Sequence, residues 1–334
     1  MYNNIQAVDS KSLALAKQLI LENKVVAFPT ETVYGLGANA LKDEAVQNIF
    51  TLKGRPQDNP LIVHLHKSFD IEKIAELPMP HLYKLIEKLT PGPITFIVKS
   101  RKKVSKLVTA NLNTVAIRIP SHTVAQAFLK EVDLPIAAPS ANISTHTSPV
   151  TAQHVQDDFG DKLPLILDGG RSFYGLESTV CDITGEKPII LRQGLITADE
   201  IASIAGDCLQ LSDTNRQEQL KRHSPGTRYK HYAPHCKTEL FEMEQLSDLE
   251  MFANKLQKMS ISFAILAESK TIDALQNYRV YNLGNTAAEM ASNVYMYLRK
   301  AEKEVDYLLV LLPTGDGEIL QAVQNRLKKA CGKL

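Results

Sequence analysis

Cysteine is scarce in this sequence, and neither sign of charge is in clear excess. The 334 residues include four cysteines, which lie far apart and form no Cys-x-x-Cys pair. This spacing argues against both a zinc knuckle and a disulfide framework. Lysine and arginine number 38 against 37 acidic residues, which gives a net charge of +1. Proteins that act along nucleic acids usually carry a basic excess, so we expect any such contact to be local, in the basic run 99–106.

Long apolar runs are also missing. No run approaches the roughly 20 residues that a membrane-spanning helix needs. The first nine residues lack the basic region and apolar core of a secretory signal peptide. We therefore expect no membrane partner and a location in the reducing cytoplasm.

Several common motifs of nucleotide-binding proteins and hydrolases do not occur. The sequence has no Walker loop G-x-x-x-x-G-K-[ST], no G-x-S-x-G elbow and no carboxylate cluster spaced for two metal ions. It does have four cations, Lys53, Arg55, Arg118 and Arg192, and donor-rich loops near predicted strand ends. Such loops can bind ligands or can be plain turns. With the cations, they indicate an anion-binding site that promotes phosphoryl or nucleotidyl transfer by positioning and electrostatics.

The segment 53–64 combines two cations with a predicted strand. Lys53 and Arg55, separated by Gly54, are predicted to lie on a loop that leads into the apolar run 61–63 and then His64. Lysine supplies a point charge and arginine a planar fork, which together suit a triphosphate. Taken alone, the segment fits a surface turn with two solvated charges at least as well as it fits a triphosphate-binding loop.

Arg118 lies near the end of the segment 114–119, in which residues alternate between apolar and polar faces. We interpret it as a fork for a ligand carboxylate, with a surface arginine on an edge strand as the alternative. His64 and His66 are predicted to share one face of a strand. No third metal ligand is near them in sequence, so structural or substrate-facing roles are favoured over a metal site.

The length predicts two domains. We predict a first α/β domain at 1–206, a linker at 207–236 that folds over the active site, and a smaller domain at 237–334. In the first domain we expect a helix at 42–52 and a loop at 29–37. The linker is dense in Pro, Gly, aromatic and basic residues at 223–234, which exceeds what a plain spacer needs.

The last hundred residues alternate strands with helices, including a short helix predicted at 272–277. This alternation predicts a small parallel, Rossmann-like sheet. No G-x-G-x-x-G follows its first strand, so a dinucleotide site is not indicated.

Several motifs, taken together and in order, resemble the YrdC-like family in its long two-domain form. They are Lys53-x-Arg55 with Ser140-x-Asn142, and the segments 29–36, 175–180, 191–194 and 224–234. The resemblance covers the whole chain. It implies a twisted open α/β sheet domain with a large cavity, followed by a smaller C-terminal Rossmann-like α/β domain.

The resemblance also implies an activity. A nucleotidyltransferase of this kind joins L-threonine, bicarbonate or CO2, and ATP into threonylcarbamoyl-AMP and pyrophosphate, with Mg2+ bridging the phosphates rather than binding protein ligands. The carbamate of threonine would be the nucleophile, which accounts for the missing protein nucleophile. Other proteins would transfer the threonylcarbamoyl group to the adenosine beside the anticodon of tRNA. The product would pass to these proteins, and binding of tRNA would be weak or indirect.

The family's site residues can be carried over by matching motifs, with Lys53 and Arg55 as the catalytic pair that neutralises the phosphates. The positions implied for L-threonine are Thr32, His64, Arg118, Ala138 and Ser178. The positions implied for ATP are Lys53, Arg55, Asn59, Thr114, Ser140, Asn142, Ser148, Arg192, Arg228, His231 and Tyr232.

Two other functions remain open from the sequence. A double-stranded RNA-binding module would use the run 99–106, but the near-zero net charge and the lack of aromatic residues among the bases argue against it. An ATP-hydrolysing regulator could use the same pocket without threonine.

Overall fold

The structure, a computed structural model, describes residues 4–210 and 233–332. The chain divides into two compact units. Of the described residues, the first unit contains 4–144, 149–173 and 177–210, and the second contains 145–148, 174–176 and 233–332. Most of the predicted linker lies outside the described residues, so the two boundaries between the three predicted segments remain a prediction.

The first unit is built on one large mixed sheet, flanked by helices. Its helices are α1 (Ser10–Leu21), α2 (Asp43–Lys53), α3 (Pro80–Leu89), α4 (Lys106–Thr109), α5 (Thr123–Val132), α6 (Ala152–Phe159) and α7 (Ala198–Ala205). Its strands are β1 (Ile5–Ala7), β2 (Val26–Phe28), β3 (Gly35–Asn39), β4 (Ile62–His64), β5 (Ile94–Lys99), β6 (Thr114–Arg118), β7 (Ile136–Ala137), β8 (Ile166–Asp168), β9 (Thr179–Asp182), β10 (Ile189–Arg192) and β11 (Leu209–Gln210).

Strand order places β4 and β6 inside the sheet. The order is β1-β8-β2-β3-β7-β4-β6-β5-β9-β10-β11. β4 and β6 are parallel, with His64 opposite Arg118. β5 is antiparallel to β6 and parallel to β9. Arg118 therefore lies on an interior strand, which excludes the alternative of an edge-strand surface arginine.

The predicted alternation along β6 is confirmed. Val115, Ile117 and the following Ile119 are buried in the main hydrophobic core, whereas Ala116 packs in a separate cluster on the other face. This two-sided burial makes β6 a rigid support for Arg118, which is the last residue of the strand.

The loop predicted at 29–37 is shorter than expected, because β3 begins at Gly35. The glycines were interpreted as loop residues, but Gly37 has a packing role inside the strand. A Cβ at Gly37 would lie 2.9 Å from both Ile136 Cγ2 and Phe28 Cε1. Here glycine allows neighbouring side chains to close over the strand.

Lys53 does not lie on a loop, and this prediction was wrong. It is the last residue of α2, and Gly54 follows as the C-cap in the left-handed conformation, at φ 60°. A glycine just after a helix commonly adopts this conformation because it has no Cβ. The Lys-Gly pair therefore marks the end of a helix.

The second unit has a four-stranded parallel sheet, as predicted. Its strands are β12 (Lys237–Phe241), β13 (Phe263–Ala267), β14 (Val280–Asn282) and β15 (Tyr307–Leu311), in the order β12-β15-β13-β14. Its helices are α8 (Leu246–Lys258), α9 (Ala287–Glu304) and α10 (Glu318–Ala330). The short helix predicted at 272–277 is a 3-10 helix at Ser269–Leu275.

Two short segments from the earlier part of the chain belong to this second unit. Arg299 of α9, only 4% exposed, donates from Nη2 to the carbonyl oxygen of Thr147. The amide of Ala233 donates to the carbonyl of Thr145 at 3.1 Å. A Cβ at Gly175 would lie 2.5 Å from the carbonyl oxygen of Ala291, so the segment 174–176 approaches α9 closely. Helix α9 thus binds both segments.

Within residues 4–210 and 233–332, no helix is long and apolar enough to cross a bilayer. The same residues contain no group of three His, Cys, Asp or Glu side chains that could hold a metal ion. The four cysteines are not disulfide-bonded.

Candidate active site

Several predicted site residues meet at one edge of the large sheet. β4 and β6 run in the same direction, so His64 and Arg118 lie at the same ends of their strands. β5 and β9 begin at this edge, where Ile94 of β5 pairs with Thr179 of β9. Ser178, just before β9, is therefore brought beside the Arg118 end of the sheet.

Arg118 forms a buried ion pair with Glu31. Its Nη2 donates to Glu31 Oε1 at 2.8 Å, and the two side chains are 5% and 6% exposed. An arginine buried this deeply needs a counter-charge, because an unpaired buried cation is very costly. Glu31 was not predicted as a site residue, although an acidic residue inside the donor-rich segment 29–37 was the available signal.

His64 is neutral at physiological pH. Its pKa is lowered to about 3, first because burial disfavours the charged ring and second because of the nearby Arg118 guanidinium. Its Nδ1 lies 3.4 Å from the carbonyl oxygen of Ile62, and its ring meets Phe28 edge-on at 5.8 Å between centroids. The ring can therefore exchange hydrogen bonds with a ligand but adds no charge.

His66 does not share a strand face with His64, contrary to the prediction. β4 ends at His64, so the alternation of side chains along a strand does not extend to His66. Nε2 of His66 lies 3.0 Å from Asp133 Oδ1, and its Nδ1 lies 3.2 Å from Ser68 Oγ. These contacts give His66 a structural role, one of the two alternatives favoured over a metal site.

Hydroxyl groups in the segment that carries Glu31 and at the start of β9 form hydrogen bonds with neighbouring hydroxyl groups. Thr30 and Thr32, both buried, have their Oγ1 atoms 2.9 Å apart. The Oγ of Ser178 lies 2.8 Å from Thr95 Oγ1. Arg192 donates to the carbonyl oxygen of Ser178 at 2.9 Å and to its Oγ at 3.2 Å. Arg192, which was predicted to bind ATP, thus contacts Ser178, which was predicted to bind threonine.

Lys53 connects the Lys-x-Arg and Ser-x-Asn motifs. Its side chain is almost fully buried, and Nζ donates to the carbonyl oxygen of Ser140 at 2.5 Å, to the carbonyl oxygen of Asn142, and to Asn142 Oδ1 at 3.4 Å. Ser140 Oγ donates to the same Oδ1 at 2.5 Å. An ammonium group has three donors, and these acceptors occupy all of them. Lys53 is therefore an internal cation that fixes the 140–142 loop.

Arg55, Asn59 and Thr114 lie at the opposite end of the same strands. Arg55 Nη2 donates to the carbonyl oxygens of Pro60 at 3.2 Å and Asn59 at 3.5 Å, just before β4. Thr114 begins β6, four residues before Arg118, a separation of roughly 13 Å at ~3.3 Å per residue. β7 is antiparallel to β4, with the Ala138 amide donating to Ile62 O at 2.8 Å, so the chain continues toward this end at Ser140.

The structure therefore separates most of the predicted residues into two groups along β4 and β6. The group at the Arg118 end contains His64, Ser178 and Arg192. The segment that carries Thr32 joins both groups, because Glu31 pairs with Arg118, whereas the carbonyl oxygen of Tyr34 accepts from the Ala141 amide at 2.8 Å. The group at the Thr114 end contains Lys53, Arg55, Asn59, Ser140 and Asn142. Ser148 belongs to the second unit and is not placed relative to these groups. Arg228, His231 and Tyr232 lie outside the described residues.

The chain is similar to known proteins over nearly its full length. Residues 18–194 match the Sua5, YciO and YrdC family described as telomere recombination, and residues 196–332 match the C-terminal domain of threonylcarbamoyl-AMP synthase. A threonylcarbamoyl-AMP synthase of Pyrococcus abyssi is 36% identical over 98% of this chain and 96% of that protein. One of Bacillus subtilis is 38% identical over 98% and 94%.

The solved structures agree with this assignment. A crystal structure described as P. abyssi Sua5 complexed with L-threonine superposes with a TM-score of 0.85 at 36% identity, covering 98% of each chain. The chain therefore belongs to the threonylcarbamoyl-AMP synthase family, whose members are nucleotidyltransferases, in its long two-domain form.

Proposed function

We propose that this chain makes threonylcarbamoyl-AMP from L-threonine, bicarbonate or CO2, and ATP, with release of pyrophosphate. The observation that carries the proposal is the pair of residue groups at the two ends of β4 and β6. One contains a buried arginine, a carboxylate and a neutral histidine, which suit an amino acid. The other contains two cations and an amide-rich loop, which suit a polyphosphate. A related protein described as complexed with L-threonine supports the first assignment.

At the first group, Arg118 would bind the carboxylate of threonine through its planar fork. Neutral His64 and the hydroxyls of Thr32 and Ser178 would hydrogen-bond the remaining polar atoms. The ammonium group of threonine releases two protons to solvent as its nitrogen adds to CO2, which gives a carbamate. A carbamate oxygen then attacks the α-phosphorus of ATP, and the bond to the pyrophosphate leaving group breaks.

At the second group, Arg55 would pair with phosphate oxygens as negative charge moves onto pyrophosphate. Lys53 already donates to Ser140 and Asn142, so it would act through its positive charge and by fixing the loop that meets the nucleotide. Mg2+ would arrive with ATP, held mainly through the phosphates, and would offset part of their negative charge. The predicted linker would close over the site and protect the labile carbamate and mixed anhydride from water.

The product would then be used by other proteins, which transfer the threonylcarbamoyl group to the adenosine beside the anticodon of tRNA. The net charge of +1 supports an indirect contact with tRNA. In the basic run, Arg101 is exposed and pairs with Glu72 at 3.3 Å, which offsets part of the local positive charge. Within the described part of the chain, the run 99–106 makes no contact that favours the RNA-binding alternative.

The proposal is tested by pyrophosphate release from Mg-ATP, with and without L-threonine and bicarbonate, and by mass detection of the adenylate. We expect release to require both co-substrates and to collapse in Lys53→Ala and Arg118→Ala. Arg101→Ala, on the surface, is the matched control and should retain activity. Release that is indifferent to threonine would support an ATP-hydrolysing regulator, and no release together with salt-sensitive RNA binding would support the RNA-binding module.

A further inference from the structure

Glu31 has a buried oxygen atom that takes no part in the ion pair with Arg118. Oε1 accepts from Arg118 at 2.8 Å, whereas Oε2 is buried and accepts no hydrogen bond from any described residue. Nε of Arg118 is likewise buried and donates to no described residue. Buried polar atoms are nearly always hydrogen-bonded, and an exception in a native structure needs an explanation. The pair therefore offers one unused acceptor and one unused donor.

The charges of these two side chains cancel. Arg118 and Glu31 contribute one positive and one negative charge, and the burial of His64 keeps its ring neutral. His122 is also close to Glu31, and its pKa is lowered, chiefly because burial disfavours the charged ring, while Glu31 acts in the opposite direction. A lone Arg118 would attract any small anion, whereas the neutral pair does not.

A free α-amino acid matches these properties. It is a zwitterion, with a carboxylate that accepts hydrogen bonds and an ammonium group that donates them. Its net charge of zero matches that of the pair. A carboxylate bound to Arg118 alone would leave the ammonium group without a counter-charge in a buried site, which is costly.

We propose that Glu31 is a specificity-determining residue, which binds the ammonium group of the substrate and selects α-amino acids against the corresponding 2-hydroxy acids. This inference rests on the proposed function, because it assigns the amino-acid substrate to the Arg118 group. Glu31 then acts on the ligand directly, and its contact with Arg118 fixes the orientation of both side chains. The alternative is that Glu31 is only a counter-ion that holds Arg118 in place.

The test compares two ligands by calorimetry in the full-length protein. The first is L-threonine, and the second is the 2,3-dihydroxybutanoate of matching stereochemistry, in which a hydroxyl replaces the amine. The variant is Glu31→Gln, which keeps an acceptor for Arg118 but removes the charge. We expect Glu31→Gln to bind L-threonine at least tenfold more weakly than wild type does. Its affinity for 2,3-dihydroxybutanoate should not fall, and its affinity for ATP should stay the same. Glu72→Gln, which alters an exposed Arg–Glu pair, is the matched control and should change neither ligand.

An equal loss of both ligands in Glu31→Gln would overturn the inference in favour of the counter-ion role, and so would unchanged binding of L-threonine. The wild-type protein provides a second measurement that does not depend on folding of the variant. If Glu31 binds the ammonium group, the hydroxy acid should bind to wild type at least about a hundredfold more weakly than L-threonine does. Comparable binding of the two ligands would overturn the inference. If the wild-type protein binds no L-threonine, the proposed function itself fails.

Discussion

Buried ionisable side chains define the first residue group, and each carries a charge state set by its surroundings. Arg118 is stabilised by Glu31, whereas His64 avoids charge altogether. Desolvation penalises a charged imidazole, and a neighbouring guanidinium adds to that penalty. The site therefore contains one ion pair and one neutral imidazole. Because this imidazole is held neutral in the folded chain, the free energy of unfolding should depend on pH.

The low pKa of His64 predicts a loss of stability at mildly acidic pH. The unfolded chain takes up a proton on this histidine below the ordinary pKa of 6.5, whereas the folded chain does so only near 3. The free energy of unfolding therefore decreases as the pH falls from about 6.5 toward 3. Urea unfolding at pH 7.5 and pH 5.5 should show wild type losing about 1.4 kcal/mol more than His64→Gln. An equal pH dependence in both proteins would contradict the buried, neutral ring.

Two site contacts could not be predicted from sequence because they join residues far apart in the chain. Glu31 and Arg118 are separated by 87 positions, and Lys53 and Asn142 by 89. The sequence identified Arg118, Lys53 and Asn142 as site residues. It could not show that Lys53 is saturated by carbonyl oxygens, because burial and hydrogen-bond partners depend on the tertiary fold.

At the scale of helices and strands, the sequence predicted most regular elements of the sheet. The alternating pattern of β6 and the strand–helix alternation of the second unit were confirmed, because burial on one or both faces leaves a periodic pattern. Helices α4, α5, α6 and α7 were not predicted. They are only 4, 10, 8 and 8 residues long, and packing rather than intrinsic propensity stabilises such short helices.

The C-cap of α2 leads to a prediction at this scale. Gly54 has φ 60°, and no atom lies within 4 Å of a Cβ built there, so a side chain would meet backbone strain but no steric clash. We expect Gly54→Ala to lower the free energy of unfolding by about 1–2 kcal/mol. Gly54→Asn should lose less, because asparagine adopts the left-handed conformation more readily.

The two Gly54 variants should be compared by urea unfolding and by the KM for ATP, since Arg55 follows the cap directly. Gly185→Ala is a matched control, because this glycine also has open space around it but does not have a positive φ. Equal stability of Gly54→Ala and wild type would contradict the role of Gly54 as the helix cap.

At the scale of the whole molecule, the second unit includes segments from distant parts of the chain. Arg299 of α9 donates to Thr147, which lies 152 positions earlier, and its Nη1 is 3.6 Å from Glu302. Residues 145–148 follow the 140–142 loop, and residues 174–176 precede Ser178. Sequence position alone does not show which unit such a loop packs against.

Arg299 should therefore contribute strongly to stability. Arg299→Met removes a charged donor from a buried carbonyl and leaves Glu302 without this partner. We expect a loss of about 1.5–3 kcal/mol in the free energy of unfolding, measured by urea unfolding of the full-length chain. Arg279→Met is the matched control, because its ion pair with Glu304 is partly exposed and should contribute less than about 1 kcal/mol. Similar losses in the two variants would contradict the strong contribution of Arg299 to stability.

The central claim is that opposite ends of β4 and β6 bind the two substrates. It is tested most directly by calorimetric titration of L-threonine and of Mg-ATP, each alone, into Arg118→Lys and Arg55→Met. Arg118→Lys keeps a charge beside Glu31 but loses the fork that a carboxylate needs. We predict that it weakens L-threonine binding at least tenfold and leaves ATP binding unchanged, whereas Arg55→Met does the reverse. If either variant weakened both ligands equally, or if Arg118→Lys bound L-threonine as wild type does, the claim would be wrong.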